Sequence, residues 1–145
     1  MHRAARALRH RVGYRGSALL FFAVLDLIYG FSLLAPSRRA RQSDTLQLVA
    51  DIAPLWAWAA LWTAVGLVCL WQAFRHRDRV AYTAAIGIKV LWGLIMLGGW
   101  LFVDLDRGYV PATVWLAMAA FVGVLGVRPE PPDGWKERTW TSPSP

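Results

Sequence analysis

The sequence predicts an all-α protein, a four-helix transmembrane bundle built from two parallel-repeat helical hairpins. Three observations lead there. Of 145 residues, 57% are hydrophobic, and they gather into four long blocks separated by charged stretches. Each block is about the length a helix needs to cross a hydrocarbon core at a rise of about 1.5 Å per residue. Finally, Asp26-Leu27-Ile28-Tyr29-Gly30 in the first block returns in the third as Lys89-Val90-Leu91-Trp92-Gly93, the same grammar with the charge inverted. By length the chain holds one domain.

Residues 1–16 are a basic arm carrying Arg3, Arg6, Arg9, Arg11 and Arg15. With little apolar bulk opposite those charges, the arm reads as a solvated cytoplasmic segment, not a specific binding helix. The membrane domain spans 17–127. Its first span, about 17–35, resembles a signal peptide in having a basic flank before an apolar run. Asp26 at its centre and Pro36 directly after the candidate Ala35 cleavage site favour a retained span. Residues 36–54 form the longest loop, where Leu46, Leu48, Val49 and Ile52 give a helical apolar rhythm that predicts a short interfacial helix.

The second span covers about 55–74, with Pro54 expected in its first turn, where a missing N–H costs nothing. Five residues, Arg75-His76-Arg77-Asp78-Arg79, then lead to a third span at about 80–102, which must lie antiparallel beside the second. The turn 104–108 leads to the fourth span, about 109–127. Beyond it, Arg128-Pro129-Glu130-Pro131-Pro132 cannot continue a helix, so 128–145 is expected to be a flexible proline-rich cytoplasmic tail.

The net charge of +7 is placed at the ends of the apolar blocks. That distribution fits anionic lipid headgroups and excludes the continuous basic stripe of a nucleic-acid binder. Arg11, Arg15, Arg75, Arg77 and Arg79 are the expected headgroup contacts. With both termini cytoplasmic, eleven basic residues lie inside and four outside, the bias of a multi-pass cytoplasmic (inner) membrane protein. Trp56, Trp58, Trp71 and Trp115 are expected as anchors in the two interfacial aromatic belts.

A second echo supports a duplication. Pro54, Trp58, Ala60, Val65 and Gly66 recur at one constant offset as Pro111, Trp115, Ala117, Val122 and Gly123. Each half is a hairpin that enters the membrane in the same direction, which predicts parallel repeats about an axis along the membrane normal. Asp26 and Lys89 then lie at matched depth. Alone, either would cost roughly 2.5–3.5 kcal/mol at a span centre, so the two are expected to meet across the axis. Gly30 and Gly93, one turn further on, and Gly66 and Gly123 in the partner spans, are expected to let helices pack closely.

Other chemistry finds little support in the residues. His2, His10 and His76 all lie in basic segments, and Cys69 sits alone in an apolar block. Asp104 and Asp106 form an acidic turn that reads as solvated, not as a metal site. No nucleophile elbow and no glycine-rich phosphate loop occurs. No catalytic, metal or cofactor-binding residue is therefore expected, and no enzyme activity.

The stretches Pro54-Leu55-Trp56-Ala57-Trp58, Trp71-Gln72-Ala73-Phe74-Arg75 and Lys89-Val90-Leu91-Trp92-Gly93 resemble four-span membrane proteins, uncharacterised in function, encoded by actinobacteria and their phages. The resemblance covers about half the chain. It implies a membrane location and a phage connection, and it brings no site residues with it. The reading that follows is a non-enzymatic membrane protein acting through assembly, as a homo-oligomer, or through contact with a membrane-protein partner. The first alternative is a holin-like permeabilising protein; the second is a small ion- or proton-coupled transporter using Asp26.

Overall fold

A computed structural model describes the backbone of residues 2–75 and 79–127, with side chains for 16–75 and 79–127. Arg11, Arg15 and Arg77 of the expected headgroup contacts, and the tail 128–145, fall outside the described side chains. The described chain is helical, in the order α1 (His2–Leu34), α2 (Arg38–Arg41), α3 (Asp44–Ile52), α4 (Leu55–Gln72), α5 (Arg79–Phe102) and α6 (Tyr109–Val127). Four segments are long and apolar enough to cross a membrane: Gly16–Leu34, Leu55–Gln72, Arg79–Phe102 and Tyr109–Val127. They are those of a multi-pass membrane protein.

The helix ends have local causes. The arm does not stand apart from the first span: α1 begins at His2 and runs through both without a break. It stops ahead of Pro36, whose ring disfavours helical geometry in the preceding residue. In the long loop, Ser37 caps α2 by accepting from the Ala40 N–H, and Ser43 caps α3 by accepting from the Leu46 N–H. Pro54 is not inside the first turn of α4 but is its N-cap, with extended backbone (φ −60°, ψ 139°). Its carbonyl accepts from the Ala57 N–H at 2.9 Å and starts the helix.

Glycine contacts give the helix directions. On α1 and α4, Gly30 faces Ala59 and Thr63, whereas Gly66 faces Leu27 and Ala23. Early positions of one helix therefore meet late positions of the other, and the pair is antiparallel. The same holds for α5 and α6, where Gly93 faces Leu116 and Ala112 while Gly126 faces Tyr82. Helices α4 and α5 are antiparallel as well: Trp58 meets Trp92 near one end, and Gln72 Oε1 accepts from the Ala81 N–H near the other. The bundle runs up-down-up-down, and α1 is parallel to α5.

The bundle has an apolar core and, unlike a water-soluble bundle, an apolar outer surface as well. Phe21, Val24, Ile28 and Phe31 follow one helical stripe of α1 and are all more than half exposed, while Asp26 and Lys89 are fully buried. Helices α4 and α6 are apolar on nearly every face, as expected where the surroundings are hydrocarbon. At the end of the bundle opposite the α4–α5 turn, α3 lies against the core. Val49 is buried, its carbonyl accepts from Trp58 Nε1 at 3.0 Å, and Leu48 packs on Gly99. The turn after α5 closes the same end: the Leu105 N–H reaches the Gly99 carbonyl at 3.0 Å and the Leu105 side chain is buried.

Candidate functional site

The polar centre of the bundle is built from α1 and α5. Lys89 Nζ donates to Asp26 Oδ1 at 2.7 Å, and neither side chain is accessible. The ammonium also lies 5.4 Å from the Phe22 ring centroid and 5.5 Å from that of Trp62, within reach of a cation–π attraction. Such a pair forms only where two spans bring opposite charges to one depth, since either charge alone would be expelled or neutralised. The arrangement is not fully satisfied. Asp26 Oδ2 and Trp62 Nε1 have no hydrogen-bond partner among the described residues, a cost of about 1–3 kcal/mol for each such buried group.

One helical turn along, the space between the hairpins is filled by rings. Tyr29 on α1 touches Trp62 on α4, Trp92 on α5 and Trp115 on α6, with centroids 4.5, 5.5 and 5.0 Å away. Trp92 in turn meets Trp58 at 5.3 Å and Trp62 at 5.6 Å, edge to face. Edge-to-face pairs of this kind add about 0.5–1.5 kcal/mol each beyond the area they bury. A single tyrosine thus joins all four long helices beside the ion pair.

The packing glycines divide into two classes. A methyl group on Gly30 would lie 2.8 Å from Thr63 Oγ1 and 3.1 Å from the Ala59 carbonyl; one on Gly66 would lie 2.8 Å from Leu27 Cγ. Gly93 is equally tight against Leu116, at 2.8 Å. Gly123 is not, since a methyl there would make ordinary contact with Ile86 at 3.8 Å. Close backbone approach is thus a property of the α1–α4 hairpin at both glycines and of α5–α6 at Gly93.

The tryptophans expected at the interfaces also divide. Trp56 and Trp71 project outward, at 67% and 64% exposure. Trp58 and Trp115 are turned inward: Trp58 is buried with its N–H on Val49, and Trp115 packs on Tyr29 and Trp62. Helical phase decides this. Trp56 and Trp58 are two residues apart, about 200° around the helix, so one must face in if the other faces out. Arg75 holds its guanidinium 4.6 Å from the Trp71 ring centroid, and Arg79 is exposed at the start of α5.

Trp62 was not singled out by the residue pattern, although it lines the ion pair and is among the largest fully buried side chains. Its signal was available in the spacing Trp58-x-x-x-Trp62, four residues apart and therefore on the same face. Asp104 and Asp106 are exposed, and no group of three potential metal ligands assembles among the described residues. Compared with protein-family models, curated proteins and solved structures, the chain gives no significant match.

Proposed function

We propose that the chain is a non-enzymatic protein of the cytoplasmic membrane that acts through assembly or contact with a membrane-protein partner. The observation that carries this reading is the mutual neutralisation of Asp26 and Lys89 at 2.7 Å in a site without solvent access. A carboxylate held by a lysine is spent on joining helices, and the outer surface offers apolar residues to lipid or to a neighbour. Photo-crosslinking from lipid-facing positions such as Ile28 and Phe121 tests it. A defined partner, or a second copy of the chain, supports the reading. A ladder of unrelated adducts counts against it.

The duplication belongs to this proposal, with both termini on the cytoplasmic side. In its support, the two echo offsets turn the Trp58–Trp92 contact into Trp115–Tyr29. Both are edge to face, at 5.3 and 5.0 Å. They likewise turn Gly30–Ala59 into Gly93–Leu116, and Gly66–Ala23 into Gly123–Ile86. The Asp26–Lys89 and Tyr29–Trp92 pairs map onto themselves, as residues beside a two-fold axis must.

A second reading, coupled transport, is favoured by one observation: Asp26 Oδ2 has no partner among the described residues beside the ammonium. Proton-driven uptake into liposomes that disappears in Asp26→Asn would establish it. A holin-like role predicts abrupt loss of membrane potential on expression, and harmless high-level expression opposes that role.

A further inference from the structure

We propose that the C-terminal end of α4 carries a binding site for an anionic phospholipid, with its acyl chains along α4 and its phosphate on Arg75. The inference rests on the membrane reading above. The site combines three features on one outward face.

The first is shape. Leu67, Leu70, Trp71, Phe74 and Arg75 line a shallow groove of about 550 Å³, open to the surroundings of the bundle. Leu67, Trp71 and Phe74 are each more than half exposed, and no other described helix covers them. The groove is apolar along its length and ends at a cation, the order of a phospholipid's own chemistry from acyl chain to phosphate.

The second is preorganisation. The Arg75 guanidinium lies 4.6 Å from the Trp71 ring centroid, which restricts a long side chain that would otherwise wander at the interface. A planar guanidinium presents paired N–H donors that match phosphate oxygens, and stacking on an indole leaves its edge free to donate.

The third is charge placed by two clasped helix ends. Gln72 Oε1 accepts from the Ala81 N–H at 3.1 Å, which ties the end of α4 to the start of α5. Arg75 stands just past the end of α4 and Arg79 opens α5, so both charges lie by that clasp. The α2 arginines Arg38, Arg39 and Arg41 are also exposed but do not line this groove. They form the natural comparison.

The test is native mass spectrometry of the full chain, extracted from membranes in mild detergent and offered phosphatidylglycerol or phosphatidylcholine at equal concentration. The wild type is expected to retain phosphatidylglycerol preferentially. Arg75→Gln should lower that retention about five-fold, the equivalent of about 1 kcal/mol for one arginine near anionic lipid. Trp71→Leu, which keeps the apolar groove but frees the arginine, should lower it in the same direction. Arg39→Gln should leave it unchanged. Unchanged retention in Arg75→Gln, equal retention of the two lipids, or an equal loss in Arg39→Gln would overturn the site. A chain that fractionates away from membranes would instead overturn the membrane reading on which the site rests.

Discussion

Lys89 Nζ on α5 and Asp26 Oδ1 on α1 lie 2.7 Å apart with both side chains wholly enclosed, and this contact joins one hairpin to the other. Removing one partner should therefore be far worse than removing both. Asp26→Asn or Lys89→Met alone strands a charge and is expected to destabilise the bundle by about 3–5 kcal/mol, whereas Asp26→Leu with Lys89→Met should recover most of that loss. Cys69 is the sole cysteine and is fully buried. Its rate of maleimide labelling in detergent thus reports opening of the bundle. It should rise sharply in the single variants and little in the double.

Trp58 ties α3 to the bundle through Nε1 and the Val49 carbonyl. Trp58→Phe keeps the ring and deletes the donor, for an expected loss of about 1 kcal/mol or slightly more. Hydrogen exchange should localise the effect. Amides of 44–52 should exchange faster while those of α5 stay protected. Uniform protection in both would mean that α3 is held by the packing of Val49 and Leu48 and not by that hydrogen bond.

Glycine substitutions should separate by position and not by residue type. Gly30→Ala meets Thr63 and the Ala59 carbonyl, so the helices must shift, at a cost of about 1–3 kcal/mol. Gly87 is also helical, but nothing lies within 4 Å of a methyl placed there. Gly87→Ala should be neutral or stabilise by up to about 1 kcal/mol, because alanine loses less backbone entropy. Thermal unfolding in micelles distinguishes the two.

The turn before α6 stores a small strain. Arg107 adopts φ 54°, a left-handed conformation that favours glycine. Arg107→Gly is expected to stabilise by about 0.5–1 kcal/mol. At the neighbouring Gly108, a methyl would lie 2.9 Å from the Met96 carbonyl and from Trp100 Cβ. Gly108→Ala should therefore destabilise. Opposite signs at adjacent residues in one melting series would verify the turn geometry.

Much of this architecture was legible because hydropathy and charge leave few options inside a membrane. The hydropathy places the fourth span at about 109–127, and α6 is Tyr109–Val127. The rhythm of Leu46, Leu48, Val49 and Ile52 anticipated α3. What periodicity could not supply was direction in three dimensions. An aromatic near a span end reads as an interfacial anchor whether it faces outward, like Trp56, or the core, like Trp58, and only tertiary packing decides. The basic arm reads as a solvated segment, and nothing in its composition shows that α1 extends back to His2. The role of Tyr29 as the ring common to four helices depends on which helices become neighbours, and local sequence does not encode that.

Whether the Asp26–Lys89 contact is what joins α1 to α5, and with it one hairpin to the other, is tested most directly by a charge exchange. The rate of Cys69 labelling would be compared in Asp26→Lys, Lys89→Asp and the combined variant. If the pair joins the hairpins, each single reversal places two like charges together and exposes Cys69, while the combination restores protection close to that of the wild type. A combined variant as reactive as the single ones would contradict the account, and so would single reversals that leave Cys69 protected.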